Sequence, residues 1–323
     1  MAIDHKTRYT NKYMANTLVS GIKPSGSLHL GNYHGAVKQW VSLSDYTMFF
    51  MIADYHALTS PQALNKTAKY DMACDLIALG VHPECLFYQS DVPEHTELAL
   101  LLSMITPLKW LERTPSFKDQ LDKRSPDWIT HGFLGYPLLM AADILLYRAT
   151  HVPVGTDQLP HIELTREIAR RFNHVYQTDL FPMPQPILNN TPVFVGTDGE
   201  KMSKSRDNIL PVMGSESDTL DRIKQMKTHR LRRNDPGVPE KCSVFSYHKV
   251  YNPDFLSIKV ACETAAIGCV DCKLTCAQAI NTALAPARKT RATLSHSSLD
   301  AGAKRARLHA QETLTQVKDI MKL

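Results

Sequence analysis

The sequence predicts an α/β protein: a doubly wound parallel sheet followed by an α-helical C-terminal domain. Three observations predict it. Short apolar runs alternate with segments of helical spacing up to about residue 175, the pattern of βαβ units. Polar and glycine-rich residues fall just after those runs, at the carboxyl ends of the strands, where open parallel sheets bind ligands. From Asp207 strand signals stop and helical segments with recurrent Lys and Arg take over. The 323 residues are enough for such a core and show no internal repeat. They divide into a polar tail (1–16), an α/β domain (17–208) and a helical domain (209–323).

Thr17-Leu18-Val19 reads as a short buried strand. Gly21, Pro24 and Gly26 break it, and after Asn32 the apolar residues recur at helical spacing (Tyr33, Ala36, Val37, Trp40, Val41). A strand, a glycine-rich turn and a helix start present free backbone N–H groups to an anion, although an ordinary βα loop has the same outline. Gly31 removes a Cβ where a flat ligand needs close approach. His29 and Asn32 stand at the helix entrance, able to donate to a phosphate. Thr47 to Ala53 is a second strand, ending in Asp54-Tyr55-His56, where His56 either faces a ligand or is a plain loop histidine. Residues 64–80 have helical spacing with Gly80 as a stop. Residues 85–89 form a third strand, and 94–105 a further helix.

Lys109 to Pro126 is polar and carries charges of both signs, and Lys123 within it reads as part of a solvated loop. Gly135 to Tyr147 is strongly apolar, with Pro137 expected in a first helical turn. Met140 and Asp143, three apart, share one helix face. A carboxylate in so apolar a run must be paired, with Arg148 for instance, or must hold a donor from a ligand. His151 to Arg166 reads as strand, glycine turn and helix, with Asp157 placed for ribose hydroxyls. Residues 182–199 are rich in Pro and Gly and lead to Lys201-Met202-Ser203-Lys204-Ser205. Two lysines around a serine on a mobile loop suit a group that closes over a triphosphate; a generic surface loop is the alternative. Beyond, helices are expected at Asp218–Lys227, Phe255–Ala265, Cys276–Arg291 and Asp300–Met321.

Composition is that of a water-soluble protein, with 43% hydrophobic and 21% charged residues. The net charge of +5 permits an acidic polymer as partner without demanding one. No apolar run reaches the length of a membrane span, and the N-terminus lacks a signal core, so a cytoplasmic protein is expected. Of seven cysteines, Cys242, Cys262, Cys269 and Cys272 follow the spacing Cys-x19-Cys-x6-Cys-x2-Cys. That is a metal-ligand pattern, fitting structural zinc or a [4Fe–4S] cluster; unliganded thiols are the alternative.

His29-Leu30-Gly31-Asn32 and Lys201-Met202-Ser203-Lys204-Ser205 together resemble the two signature motifs of class I aminoacyl-tRNA synthetases. Asn in the last place of the first motif is typical of the tryptophanyl branch. Val152-Pro153-Val154-Gly155-Thr156-Asp157-Gln158 and the residues that follow resemble the same branch, with Thr156 where the family has Glu. The resemblance implies a Rossmann-like catalytic domain and an anticodon-binding helical domain. It implies a ligase that activates L-tryptophan with ATP and Mg²⁺ and transfers it to tRNA(Trp), working as a homodimer. It assigns His29, Asn32, Lys201 and Lys204 to catalysis. ATP falls to Lys23, Pro24, Ser25, Gly31, Asn32, Gly155, Thr156, Asp157, Val193, Lys201, Met202, Ser203, Lys204 and Ser205. Lys23 stands where the family commonly has Gln, and Lys118 is a further pyrophosphate contact. Tryptophan falls to Asp143, which reads the indole N–H, with Val19, Gly21, His56, Tyr136, Met140, Val152, Val154 and Gln158. The resemblance also favours the [4Fe–4S] cluster over zinc on the four cysteines. A tyrosyl-type enzyme and a nucleotide-binding relative that charges no tRNA are the competing readings.

Overall fold

The computed structural model describes residues 16–323, apart from 44, 60–65, 122–126, 128, 189–193, 231, 233 and 296–298. Its centre is a five-stranded parallel sheet in the order β3-β2-β1-β4-β5. The strands are β1 (Thr17–Ile22), β2 (Thr47–Ile52), β3 (Leu86–Tyr88), β4 (His151–Val154) and β5 (Gln185–Leu188). β1 pairs with β2 from Thr17↔Thr47 to Ile22↔Ile52, and with β4 at Leu18↔His151. Strand order reverses between β1 and β4, so the carboxyl ends of those two strands open the crevice where such sheets take ligands.

Helices cover both faces: α1 (residues 30–42, π-wound at Tyr33–Val37), α2 (Lys66–Ala78), α3 (Glu94–Ser103), α4 (Leu108–Glu112), α5 (Pro115–Leu121), α6 (His131–Leu145) and α7 (Leu159–Val175). Beyond the sheet follow α8 (Glu216–Gln225), α9 (Ser243–Tyr251), α10 (Phe255–Glu263), α11 (Cys269–Thr293) and α12 (Asp300–Met321). Strand residues alternate between two cores, as a period of two requires. Val19, Phe49, Met51 and Phe87 pack beneath α6, α7 and α12. Leu18, Phe50, Ile52 and Leu86 pack with Trp40, Met72, Val212, Tyr247 and Ile280 on the other face.

α12 returns to the sheet rather than to the other C-terminal helices. Its Gly302 lies so close to the Leu86 carbonyl that a Cβ there would collide with it. Ala306 and Ala310 are fully buried, and Arg305 donates to the Met48 carbonyl at 2.8 Å.

The structure departs from the sequence reading in five places. The polar segment from Lys109, where no helix was expected, holds α4 and α5, because Leu111 is buried and Phe117 meets Phe133, while Lys123 lies outside the described residues. Pro137 lies in the interior of α6, not its first turn. β5 was not anticipated, and α9 begins directly after Cys242 where no helix was expected. α11 starts at Cys269, two turns before the expected Cys276. The tail expected at 1–16 lies outside the described residues except for Asn16. Among the described residues no helix is long and apolar enough to cross a membrane.

Candidate active site

The site forms at the carboxyl ends of β1 and β4. After β1 the chain passes through Lys23 and Ser25, both exposed, and buried Pro24, and enters α1 at His29. The His29 backbone N–H donates to Asn32 Oδ1 and the Asn32 N–H to His29 Nδ1, each at 3.3 Å, a reciprocal cap. Nδ1 is therefore the acceptor, and Nε2 carries the ring proton. Burial, then the charge of Lys204, lowers the His29 pKa to about 4, so the ring is a neutral donor at physiological pH. Gly31 is needed by this ring: a Cβ there would sit 2.9 Å from His29 Nδ1.

The lysine segment folds onto the same turn. Lys204 Nζ donates to the Gly26 carbonyl at 2.9 Å and to Ser25 Oγ at 3.3 Å, across 178 and 179 positions of sequence. Burial lowers the Lys204 pKa to about 8, against the opposing charge of Asp75. A bridge between Val195 and Lys201 closes the preceding turn, where Gly199 has φ of +89°, a backbone conformation that favours glycine. Asn208, 1% exposed, holds the loop from beneath: Nδ2 donates to Asp198 Oδ1 at 2.8 Å and to the Lys201 carbonyl at 3.2 Å, and Oδ1 accepts from the Ser203 N–H at 2.7 Å. Met202 is buried and Lys201 exposed. Residues 28–30 are fastened by Leu30 N–H to the Leu210 carbonyl and Val212 N–H to the Leu28 carbonyl, both 2.9 Å.

At the end of β4, Gly155 leads into the turn Thr156–Gln158. Thr156 and Asp157 are exposed, and Gln158 Nε2 donates to Asp157 Oδ2 at 3.0 Å. Val19 and Val152 are core residues, Val154 is half-buried, and Gly21 is exposed with Met51 Cγ occupying the space of a Cβ. Val193 lies outside the described residues.

Asp143, on α6, is 4% exposed. Its Oδ1 accepts from Gln89 Nε2 and His95 Nδ1, both at 2.7 Å, and its Oδ2 from His56 Nε2 at 2.8 Å. Burial works to raise its pKa, but the hydrogen bonds from His56 and His95 outweigh it, leaving the carboxyl well below its ordinary range. The expected alternative of an Arg148 pair is replaced by these three donors. An oxygen of a carboxylate accepts about two hydrogen bonds, so Oδ1 is full and Oδ2 retains one acceptor direction. Beside His56 stands Tyr136, 6.3 Å between ring centres, and Tyr136 Oη lies 3.4 Å from His161 Nε2. Met140 is half-buried one turn before Asp143. The arrangement joins the His29 turn to the Lys204 loop and sets on α6 a buried carboxylate with one open acceptor direction, with Tyr136 next to its His56 partner.

The family described as "tRNA synthetases class I (W and Y)" matches residues 12–285. The tryptophan–tRNA ligase of Thermotoga maritima is 42% identical, over 95% of this chain and 99% of its own. The chain belongs to the tryptophanyl-tRNA synthetases. The Ralstonia nicotianae tryptophan–tRNA ligase is 39% identical over 79% of this chain and 84% of its own. Among solved structures, a Campylobacter jejuni tryptophanyl-tRNA synthetase complexed with ADP and tryptophan has a TM-score of 0.87 at 35% identity, covering 95% of this chain and 100% of that one.

In this member of the tryptophanyl-tRNA synthetases the four candidate cysteines come from three helices. Cys242 precedes α9, Cys262 lies in the last turn of α10, and Cys269 and Cys272 open α11. The Cys272 thiol is pushed up to about 12 by burial and then by the neighbouring Cys242, Cys262 and Cys269 sulfurs. Arg230 reaches Cys262 Sγ at 3.5 Å, and His248 Nε2 lies 3.4 Å from Cys272 Sγ. Among the described residues no group of three or more His, Cys, Asp or Glu side chains is placed to hold a metal ion. The four cysteines are neighbours in the fold, and the described residues do not show them arranged around a metal.

Sequence reasoning missed Gln89, His95, Tyr147 and Asn208. Gln89 follows β3, so the strand-end rule that marked His56 would have marked it too. Tyr147, four residues after Asp143, had the helix-face spacing to mark it, whereas His95 and Asn208 carry no local signal and only the tertiary fold brings them in.

Proposed function

We propose that this tryptophan–tRNA ligase runs both of its steps in the cleft between the His29 turn and the Lys204 loop. The observation that carries the reading is Lys204 Nζ on the Gly26 carbonyl. It supports a triphosphate held between His29 Nε2–H and the Asn32 amide on one side and Lys201 and Lys204 on the other. Lys23, Pro24, Ser25, Gly31, Met202, Ser203 and Ser205 shape the nucleotide's surroundings, and Gly155, Thr156 and Asp157 take the nucleoside. Mg²⁺ accompanies the phosphates and offsets their charge. Tryptophan enters a slot with its indole N–H on Asp143 Oδ2 beside His56, while Gln158 meets its polar end. Val19, Gly21, Tyr136, Met140, Val152 and Val154 form the walls. The tryptophan carboxylate attacks the α-phosphorus, forming the mixed anhydride and releasing pyrophosphate. A terminal ribose hydroxyl of tRNA(Trp) then attacks the acyl carbon, forming the ester and releasing AMP. Positioning and charge stabilisation carry the rate.

Asp143, an ionised acceptor with one open direction, suits an N–H that only donates better than a phenol that donates and accepts. Pyrophosphate exchange with tryptophan, with tyrosine and with neither is the test. Tryptophan-dependent exchange alone is expected, and Asp143→Ala loses it by at least about a hundredfold. Full activity in that variant would remove the assignment of Asp143. The helices from α8 onward, with Arg230, Arg232 and Arg288, are proposed to meet tRNA, and the enzyme to act as a homodimer.

The iron–sulfur reading of the cysteines rests on their convergence and on the resemblance, with zinc as alternative. Cys242, Cys262, Cys269 and Cys272 would hold the group, whose contribution is to cross-link α9, α10 and α11. Iron, acid-labile sulfide and zinc assays of anaerobically purified protein decide it. About four iron and four sulfide per chain are expected; absence of all metal refutes the site.

A further inference from the structure

We propose that His95 and Tyr147 are positioning residues that make Asp143 selective for a ring N–H. The inference rests on the assignment of Asp143 to the indole. His95 is wholly buried on α3 and uses both ring nitrogens: Nδ1 lies 2.7 Å from Asp143 Oδ1, and Nε2 lies 2.8 Å from the Tyr147 hydroxyl. The carboxylate can only accept, so Nδ1 carries the proton in this network and Nε2 accepts from Tyr147 O–H. Burial, then the charges of Asp143 and Glu94, keep that hydroxyl protonated well above its ordinary range, so it stays a donor. Tyr147 is itself fixed by stacking on Phe49, 4.5 Å between ring centres.

The chain Tyr147 → His95 → Asp143 therefore has one direction of donation. Together with Gln89 it fills Oδ1 and leaves the remaining acceptor capacity on Oδ2, on the side where His56 and Tyr136 stand. A ligand without a donor there would leave a buried lone pair unmatched, which is how a site rejects an isostere. Without His95 a second acceptor direction opens on Oδ1, so the unmet acceptor capacity is no longer confined to Oδ2 and the requirement for a donor there relaxes. Neither residue touches substrate; both act through Asp143.

The experiment compares tryptophan with 3-benzothienylalanine, which has sulfur in place of the indole N–H, in ATP–pyrophosphate exchange. The readouts are the ratio of kcat/KM for the two amino acids and the KM for ATP. Tyr147→Phe keeps the ring stacked on Phe49 and removes only the donated proton; the ratio is expected to fall about tenfold. His95→Leu is expected to lower it further, and His95→Asn, whose amide restores a donor near Nδ1, to recover part of it. The KM for ATP stays unchanged throughout. Equal losses for both amino acids in Tyr147→Phe and His95→Asn would reduce the pair to structural packing and overturn the proposal. Asp143→Ala separates the two readings. If the ratio collapses there but holds in the Tyr147 and His95 variants, the indole assignment stands and the positioning role fails. If the ratio survives Asp143→Ala, the indole assignment itself fails.

Discussion

Lys204 shows how one side chain can both tie a cleft together and limit its working range. Its ammonium is largely withdrawn from water and its pKa has fallen to about 8. Above that pH free enzyme loses the charge that phosphates need, so kcat/KM for ATP is expected to fall as pH rises through about 8. Lys204→Arg, always charged, should shift this limb beyond the measurable range. A profile flat to pH 10 would contradict the assignment. Asn208 works differently, as an uncharged staple with three hydrogen bonds under the loop. At this scale the sequence disclosed much: His29, Asn32, Asp143, Lys201 and Lys204 all follow from motif or from a charge out of place in an apolar run. What it could not disclose is how Asp143 is satisfied. Gln89 and His95 lie 54 and 48 positions away, and the fold brings them to Asp143 from the end of β3 and from α3.

Among the elements, α9 joins the most distant parts. Tyr247 Oη donates to the Val195 carbonyl at 2.5 Å, at the base of the lysine loop. One turn on, Tyr251 Oη lies 2.6 Å from His34 Nε2, inside the π-wound turn of α1. Between them His248 faces Cys272. A single helix thus braces both signature loops from behind. Tyr251→Phe is expected to raise the KM for ATP about three- to tenfold while leaving the KM for tryptophan unchanged, read from exchange kinetics. β1, β2, β3 and β4 were legible because their apolar runs are short and bounded by turn residues. β5 was not, since Pro186 and a half-exposed edge position dilute the pattern. α9 and the start of α11 were not legible, because cysteine spacing there reads first as a ligand pattern. Yet Cys269, Cys272 and Cys276 stand three and four apart, the spacing of one helix face.

For the molecule as a whole, the alternation of Val19, Phe49 and Met51 against Leu18, Phe50 and Ile52 sets two cores, and α12 completes one of them. Gly302→Ala drives a methyl into the Leu86 carbonyl and is expected to cost about 2–3 kcal/mol, measured as a lower denaturation midpoint. An unchanged midpoint would mean that α12 shifts freely on the sheet. The α/β class and the helical character of the later chain were readable from periodicity. That the last helix would leave its neighbours for β3 and α3 was not, because nothing local in an amphipathic helix names the surface it will cover. The placement bears on how the polypeptide matures during synthesis. Val19, Phe49 and Phe87 leave the ribosome roughly two to three hundred residues before Ala306 and Ala310, which share their core. Until the final helix emerges, the nascent sheet carries an oily flank open to chaperones, and an interrupted translation product remains marked for removal by it.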